Sequence, residues 1–359
     1  MSIGANILAP WVADRAAMYD WLVRANPRSV VVCDEPNVAA QVKAALPKAR
    51  VIHRWVREGD GSIANWTPQA WVRDFVLPLP PGVMGYVLNE PGGDWRAVAS
   101  YLVTVMRLTA PLNIPLVLGN FSKGQPPRAA VDGGELDEFL LAFNDFPINF
   151  LGYHPYFADD PATDEHASWH TVFLNRAAKI GAKVRLIATE AGRDERGGYN
   201  DGYRVHMPSV SFAEKLTRQA RTLDEFGIDM APFCYGTGGP IKVLGVEVHH
   251  WENFNFEDDP VVKGAIVTHN AGDQIVEVND MVGPPGWAQV TTNGAGFNVN
   301  VRQSPSLTAQ PIALVKTGDW VRPQGAPVAA NGHSWQRVVL ENCVAGYVSL
   351  NVLKLGRMT

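Results

Sequence analysis

From residue 3 to residue 235 the chain alternates short apolar runs with longer stretches whose apolar positions recur every three or four residues. The apolar runs are Ile3–Leu8, Ser29–Cys33, Arg50–Trp55, Val83–Leu88, Pro115–Gly119, Ile148–Tyr153, Val184–Thr189 and Asp229–Tyr235. Runs this short and continuous predict strands buried on both faces, as in a parallel sheet covered by helices. Between them, helical periodicity covers Asp14–Ala25, Asn37–Leu46, Thr67–Val76, Trp95–Leu108, Glu135–Asn144, Glu165–Ile180 and Ser211–Phe226. Thr67 before Pro68, and Ser209 or Ser211 ahead of Glu214, read as N-caps. Asp258–Asp259–Pro260 predicts the start of a last helix.

Eight strand–helix units over about 270 residues match the size of a (β/α)₈ barrel. A doubly wound open sheet is the competing α/β fold. If it bound a nucleotide, it would carry a glycine-rich turn after its first strand, where this chain has Ala9–Pro10–Trp11. The reading is therefore α/β, a TIM barrel over residues 1–275. Near Asn270 the texture changes: Pro284, Pro285 and Gly286 mark a linker over residues 276–290. Residues 291–359 are Val- and Thr-rich, cut by Gly, Asn and Pro, and predict a small all-β module.

Composition narrows the function. The 359 residues are 46% hydrophobic and 19% charged, with a net charge of −5. A mildly acidic chain is a poor non-specific nucleic-acid binder, so no nucleic-acid partner is expected. The three cysteines, Cys33, Cys234 and Cys343, have no metal or disulfide spacing. Adjacent His249 and His250 point to opposite sides of an extended segment, so neither a metal nor any other cofactor is expected. No apolar run reaches the ~18–20 residues of a spanning helix, so no membrane insertion is expected. No secretory signal is visible at the N-terminus. The expectation is synthesis in the cytoplasm and action at a cell wall or outside the cell, through phage-like release or a trimmed leader.

In a barrel of this kind chemistry sits at the C-terminal ends of the strands. The fourth run closes on Asn89–Glu90–Pro91 and the seventh on Thr189–Glu190. Two carboxylates at one rim suit glycosidic cleavage, and a gap of ~5–5.5 Å suits double displacement. The general acid needs a raised pKa, expected from burial and from the charge of the second Glu. Weaker candidates at other strand ends are Asp34, Glu35, His53, Arg54, Trp55, Asn120 and Tyr235, with Trp251 on the loop after the eighth run.

Asn89–Glu90–Pro91 and Thr189–Glu190 resemble the retaining glycoside hydrolases of the large (β/α)₈ clan that includes cellulases, mannanases and β-galactosidases. The resemblance implies that Glu90 is the acid/base, Glu190 the nucleophile, and Asn89 a ligand of the sugar 2-hydroxyl. Tyr153–His154–Pro155–Tyr156 is similar to that clan's His-x-Tyr pattern, which implies that Tyr156 orients the nucleophile and brings His154 to the site. The chain departs from the clan in having no clear Arg at the second strand end. It also has Phe233–Cys234–Tyr235 in place of the usual Trp at the eighth, a role left to Trp251.

Asn298–Ser306, Trp335–Val338, Gly346–Ser349 and Leu353 resemble bacterial SH3 domains, which implies a wall-binding module. The combined expectation is a retaining glycoside hydrolase cleaving a β-linked polysaccharide, or peptidoglycan in the manner of an endolysin. The alternative is a non-catalytic carbohydrate-binding or structural virion or cell-surface protein on the same scaffold. Of the eleven tryptophans, Trp21, Trp71, Trp95 and Trp169 are expected to pack, whereas Trp11, Trp55, Trp66 and Trp251 lie where sugars stack.

Overall fold

The computed structural model describes residues 2–195, 201–243, 246–273, 288–292, 298–306, 308–316, 320–330, 333–340, 345–349 and 353–355. The chain folds as two compact units, Met1–Asn270 and Ala271–Thr359. Residues 276–287 of the expected linker lie outside the described residues.

The first unit is a closed parallel barrel. Its strands are β1 (Asn6–Ile7), β2 (Ser29–Cys33), β3 (Arg50–Arg54), β4 (Met84–Val87), β5 (Leu116–Phe121), β6 (Phe150–Tyr153), β7 (Leu186–Arg193) and β8 (Asp229–Tyr235). They pair in the order β6-β5-β4-β3-β2-β1-β8-β7, and β6 pairs with β7 to close the ring. β1 is short, but an isolated Ile3–Met230 bridge extends its pairing with β8.

Continuous apolar runs arise because both strand faces are covered. Val31, Ile52, Tyr86, Val117, Ile187 and Ala231 fill the barrel interior. Val30, Val32, Val51, Val87, Leu116 and Met230 face the helices. That helix layer also takes in Trp21, Trp71, Trp95 and Trp169, all buried as expected.

Helix boundaries follow their caps. Asp14 accepts from Ala17 N at the start of Arg15–Ala25, and Asp94 from Arg96 N and Ala97 N at the start of Trp95–Thr109. Asp259 Oδ1 accepts from Val261 N and Val262 N, opening Pro260–Asp273 as the sequence predicts. The expected serine cap is corrected: Ser209–Asp224 begins at Ser209 itself, after Pro208, with no side-chain cap. The Ser209 hydroxyl instead bonds Asp259. The predicted helix Glu165–Ile180 starts only at His170, because the Asp164 carboxylate binds Ala158 N and His166 N and holds the chain in turns. After β8 a hairpin of β9 (Pro240–Val243) and β10 (Val246–His249) leaves the barrel. Among the described residues no helix is long and apolar enough to cross a membrane.

The second unit is antiparallel: β11 (Ala288–Thr292), β12 (Asn298–Arg302), β13 (Pro311–Lys316), β14 (Trp320–Ala330), β15 (His333–Leu340), β16 (Ala345–Ser349) and β17 (Leu353–Leu355). Their order is β13-β12-β16-β15-β14-β11-β17, around a small core of Val301, Val315, Val321, Val338, Leu340 and Val348.

Candidate active site

The polar groups gather where the barrel strands end. β4 stops at Val87, and Leu88 and Glu90 then take left-handed backbone angles, φ 57° and 51°. Such angles are costly for non-glycine residues and are held by the surroundings. Here Glu90 N donates to Asn120 O and Asn89 N to Asp60 O. The bend raises the Glu90 carboxylate out of the wall, leaving its side chain 43% exposed. Glu190 lies within β7 rather than at its end, and its side chain is only 8% exposed.

The two carboxylates come together. One oxygen of each, with one ring nitrogen of His154, forms a trio of donor atoms all within 4.8 Å of one another. His154 Nδ1 is 2.9 Å from Glu90 Oε1 and 3.7 Å from Glu190 Oε2. Tyr156 Oη donates to Glu190 Oε2 at 2.8 Å. Arg54 Nη1 donates to Glu190 Oε1 at 2.6 Å, and its Nη2 to Asp60 Oδ2 at 3.2 Å. Tyr86 Oη donates to Asn89 Oδ1 at 2.7 Å and lies 3.2 Å from His154 Nε2.

Electrostatics separate the two acids. Burial raises the pKa of Glu90, but the hydrogen bond and charge of His154, with Arg54, outweigh it and hold the carboxyl below its usual value. The expectation of a raised Glu90 pKa is thereby corrected, because the His154 imidazole stands against its carboxylate. Burial pushes Asp60 up despite the Arg54 guanidinium beside it. Burial alone would lower the Arg54 pKa, but Tyr86, Glu190 and Asp60 around it raise it, so the guanidinium stays charged. Tyr86 and Tyr156 are pushed well above the usual phenol value by burial, so both hydroxyls keep their protons.

A carboxylate–imidazole trio is also a chemical type that holds divalent metals. Here both Glu190 oxygens already accept from Tyr156 and Arg54, and the fixed guanidinium charge opposes a second cation.

Several expected site residues lie elsewhere. Trp55 faces the helix layer, its Nε1 donating to Phe75 O at 3.2 Å. The reason is strand parity: Ile52 and Arg54 point inward, so Trp55 points out. Trp66 packs outside the barrel on Trp71 and Phe75. Tyr235 also turns outward, stacked on Trp21 at 5.2 Å, because Phe233 and Cys234 both face the interior. Asn120 is 0% exposed and has no free face for a ligand. Its Nδ2 donates to Val87 O and Leu88 O, and its Oδ1 accepts from Thr189 Oγ1. A Cβ on Gly152 would meet that Oδ1 at 2.0 Å, which explains the glycine.

Trp251 packs on the barrel-interior cluster, edge-on to Phe233 at 5.1 Å and stacked with His250 at 4.0 Å. Trp11 is 42% exposed, with its ring against Gly239. Asp34 binds Val56 N and Arg57, and Glu35 binds Arg15, so both brace rim loops. The sequence left Arg54 as a minor candidate and missed Asp60. Inward parity on β3 is the signal that finds Arg54; nothing comparable marks Asp60, which sits on a loop.

No family model matches the chain, and no curated protein does. Among solved structures it is similar to a β-glucuronidase from Ruminococcus gnavus in complex with D-glucuronic acid, at 15% identity and a TM-score of 0.47. That match covers 76% of this chain and 49% of the other, so the chain spans about half the length of that enzyme. It is similar to a tri-modular GH5 (subfamily 4) endo-β-1,4-glucanase from Bacillus licheniformis, at 11% identity and TM-score 0.46, covering 97% and 77%. A GH2 β-galacturonidase from Eisenbergiella tayi matches at 12% identity and TM-score 0.45, covering 71% and 47%. At 11–15% identity these are likenesses of fold.

Proposed function

We propose that the barrel is a retaining glycoside hydrolase acting on a β-linked glycan by double displacement. The observation that carries this reading is the pair of carboxylate oxygens within 4.8 Å, one buried and one exposed, at the C-terminal pole of the barrel. Facing oxygens this close suit carboxyl groups about 5–5.5 Å apart, as for a nucleophile and an acid/base, better than the ~6.5–9.5 Å that an inverting enzyme needs for its water. Glu190, which accepts hydrogen bonds from Arg54 and Tyr156, is the nucleophile. Glu90, reachable from solvent, is the acid/base. A bound sugar covers the exposed Glu90 carboxyl, and the lost solvent raises its pKa toward the protonated form an acid needs. Asn89 beside it binds the sugar 2-hydroxyl, and Trp251 supplies an apolar ring for the sugar face.

For the second unit we propose a bacterial SH3-like module that binds cell-wall material, with peptidoglycan as the glycan cleaved. The support is the resemblance of Asn298–Ser306 and Gly346–Ser349, segments that carry β12 and β16.

Aryl β-glycosides and purified peptidoglycan, offered to the wild type and to Glu190→Gln and Glu90→Gln, test the barrel. Retention of anomeric configuration in the first product, with both variants inactive, supports double displacement. An inverted product, or full activity in either variant, overturns it. Truncation after residue 284 should abolish co-sedimentation with cell walls and spare cleavage of a small soluble substrate.

A further inference from the structure

Asn89, Tyr86, His154 and Glu90 form one hydrogen-bonded chain, and counting its protons fixes more than the distances do. Tyr86 has a single hydroxyl proton, and Asn89 Oδ1 can only accept. At 2.7 Å that contact takes the Tyr86 proton. The 3.2 Å contact between Tyr86 Oη and His154 Nε2 then needs its proton from the ring. The Thr189 hydroxyl also contacts Tyr86, but its one proton goes to Asn120 Oδ1, so it adds no proton to this chain. With Nε2 protonated, Nδ1 of a neutral ring is a bare lone pair facing a carboxylate oxygen at 2.9 Å. Two lone pairs repel at that distance, so the contact itself requires a proton.

We infer that Tyr86 is a positioning residue that fixes His154 in its Nε2–H form, so that Glu90 and His154 together hold one bridging proton. The inference rests on Glu90 being the acid/base, and it adds where that acid's proton is stored. The charged and titratable groups facing the pair are Glu190 on β7, Tyr156 after β6, Tyr86 on β4, Arg54 on β3 and Asp60 on the loop that follows. Glu190 Oε2, 3.7 Å from Nδ1, draws the bridging proton toward the ring, while Arg54 is already divided between Glu190 and Asp60. The lowered pKa of Glu90 agrees with a proton that rests on the imidazole side. The alkaline limb of a pH–rate profile then reports the loss of that bridging proton.

The experiment uses the full chain with ¹⁵N-labelled histidine, and His154→Gln assigns the His154 signals. At pH 7 the wild type should show a protonated Nε2, and Tyr86→Phe should show a bare Nε2 with the proton on Nδ1. On whichever glycoside the wild type cleaves, Tyr86→Phe should move the alkaline limb of kcat/KM down by about one pH unit, a tenfold loss in proton affinity. A bare Nε2 in the wild type overturns the inference, and so does an unshifted alkaline limb in a folded Tyr86→Phe. Should that variant not fold, the wild-type spectrum decides alone. Should no glycoside be cleaved, the hydrolase reading fails while the spectrum still tests the proton count.

Discussion

Arg54 and Glu190 are joined across the barrel interior by a 2.6 Å hydrogen-bonded ion pair, with both side chains almost wholly withdrawn from solvent. Breaking a buried pair from one side costs about 3–5 kcal/mol, because a charge is left behind. Arg54→Met should therefore lower the melting temperature clearly and abolish turnover, and thermal unfolding alongside glycoside assays checks both. Asp60 loses its partner as well, so Arg54→Met with Asp60→Asn should be more stable than Arg54→Met alone.

Tyr156 is the second support of Glu190, a neutral donor to a charged acceptor. Hydrogen bonds of this kind are worth about 1.5–3 kcal/mol. Tyr156→Phe should lower kcat by roughly 10- to 100-fold with the fold intact. The outcome against this is an unchanged kcat in steady-state assays.

Trp251 and Trp55 separate by orientation rather than by position in the sequence. Trp251→Ala should raise KM for an oligosaccharide by roughly 3- to 10-fold, the size of a lost aromatic contact of about 0.5–1.5 kcal/mol. Trp55→Phe loses the hydrogen bond to Phe75 O in the helix layer, so it should lower the melting temperature and leave KM unchanged.

His53 is buried, and neither ring nitrogen has a hydrogen-bond partner among the described residues. Burial lowers its pKa to about 4. The unfolded chain takes up a proton near pH 6.5 that the folded chain refuses, so stability falls as pH drops from 6.5 toward 4, then levels. The slope from this one residue is about 1.4 kcal/mol per pH unit. Urea unfolding between pH 4 and 7 should show a slope smaller by that amount in His53→Leu, with no loss of stability at pH 7.

The barrel was legible because each strand is covered on both faces, which writes it into the chain as an unbroken apolar run. Asp229–Tyr235 is found with both ends as predicted, while Arg50–Trp55 loses only Trp55. Glu90 and Glu190 were legible for a related reason, as acids that end or interrupt such runs. Side-chain direction was legible only where alternation holds. It separates Arg54 from Trp55 on β3, but not Asn120 on β5, where the register shifts between Leu118 and Phe121. On β8 the consecutive inward Phe233 and Cys234 hid the outward turn of Tyr235. Asp60 reaches Arg54 from a loop, where no periodicity applies.

The buried Asn120 amide has one more consequence. It grips the last carbonyls of β4 on one side and the residue before Glu190 on the other. The gap between the two acids is thus set beneath them by a crossbar that takes no part in chemistry. A designer wishing to widen that gap, and so admit a water and change the stereochemical outcome, has a lever here that leaves both carboxylates untouched. Shortening or lengthening the Asn120 side chain, with Gly152 adjusted to match, should resize the spacer on which the proposed double displacement would depend.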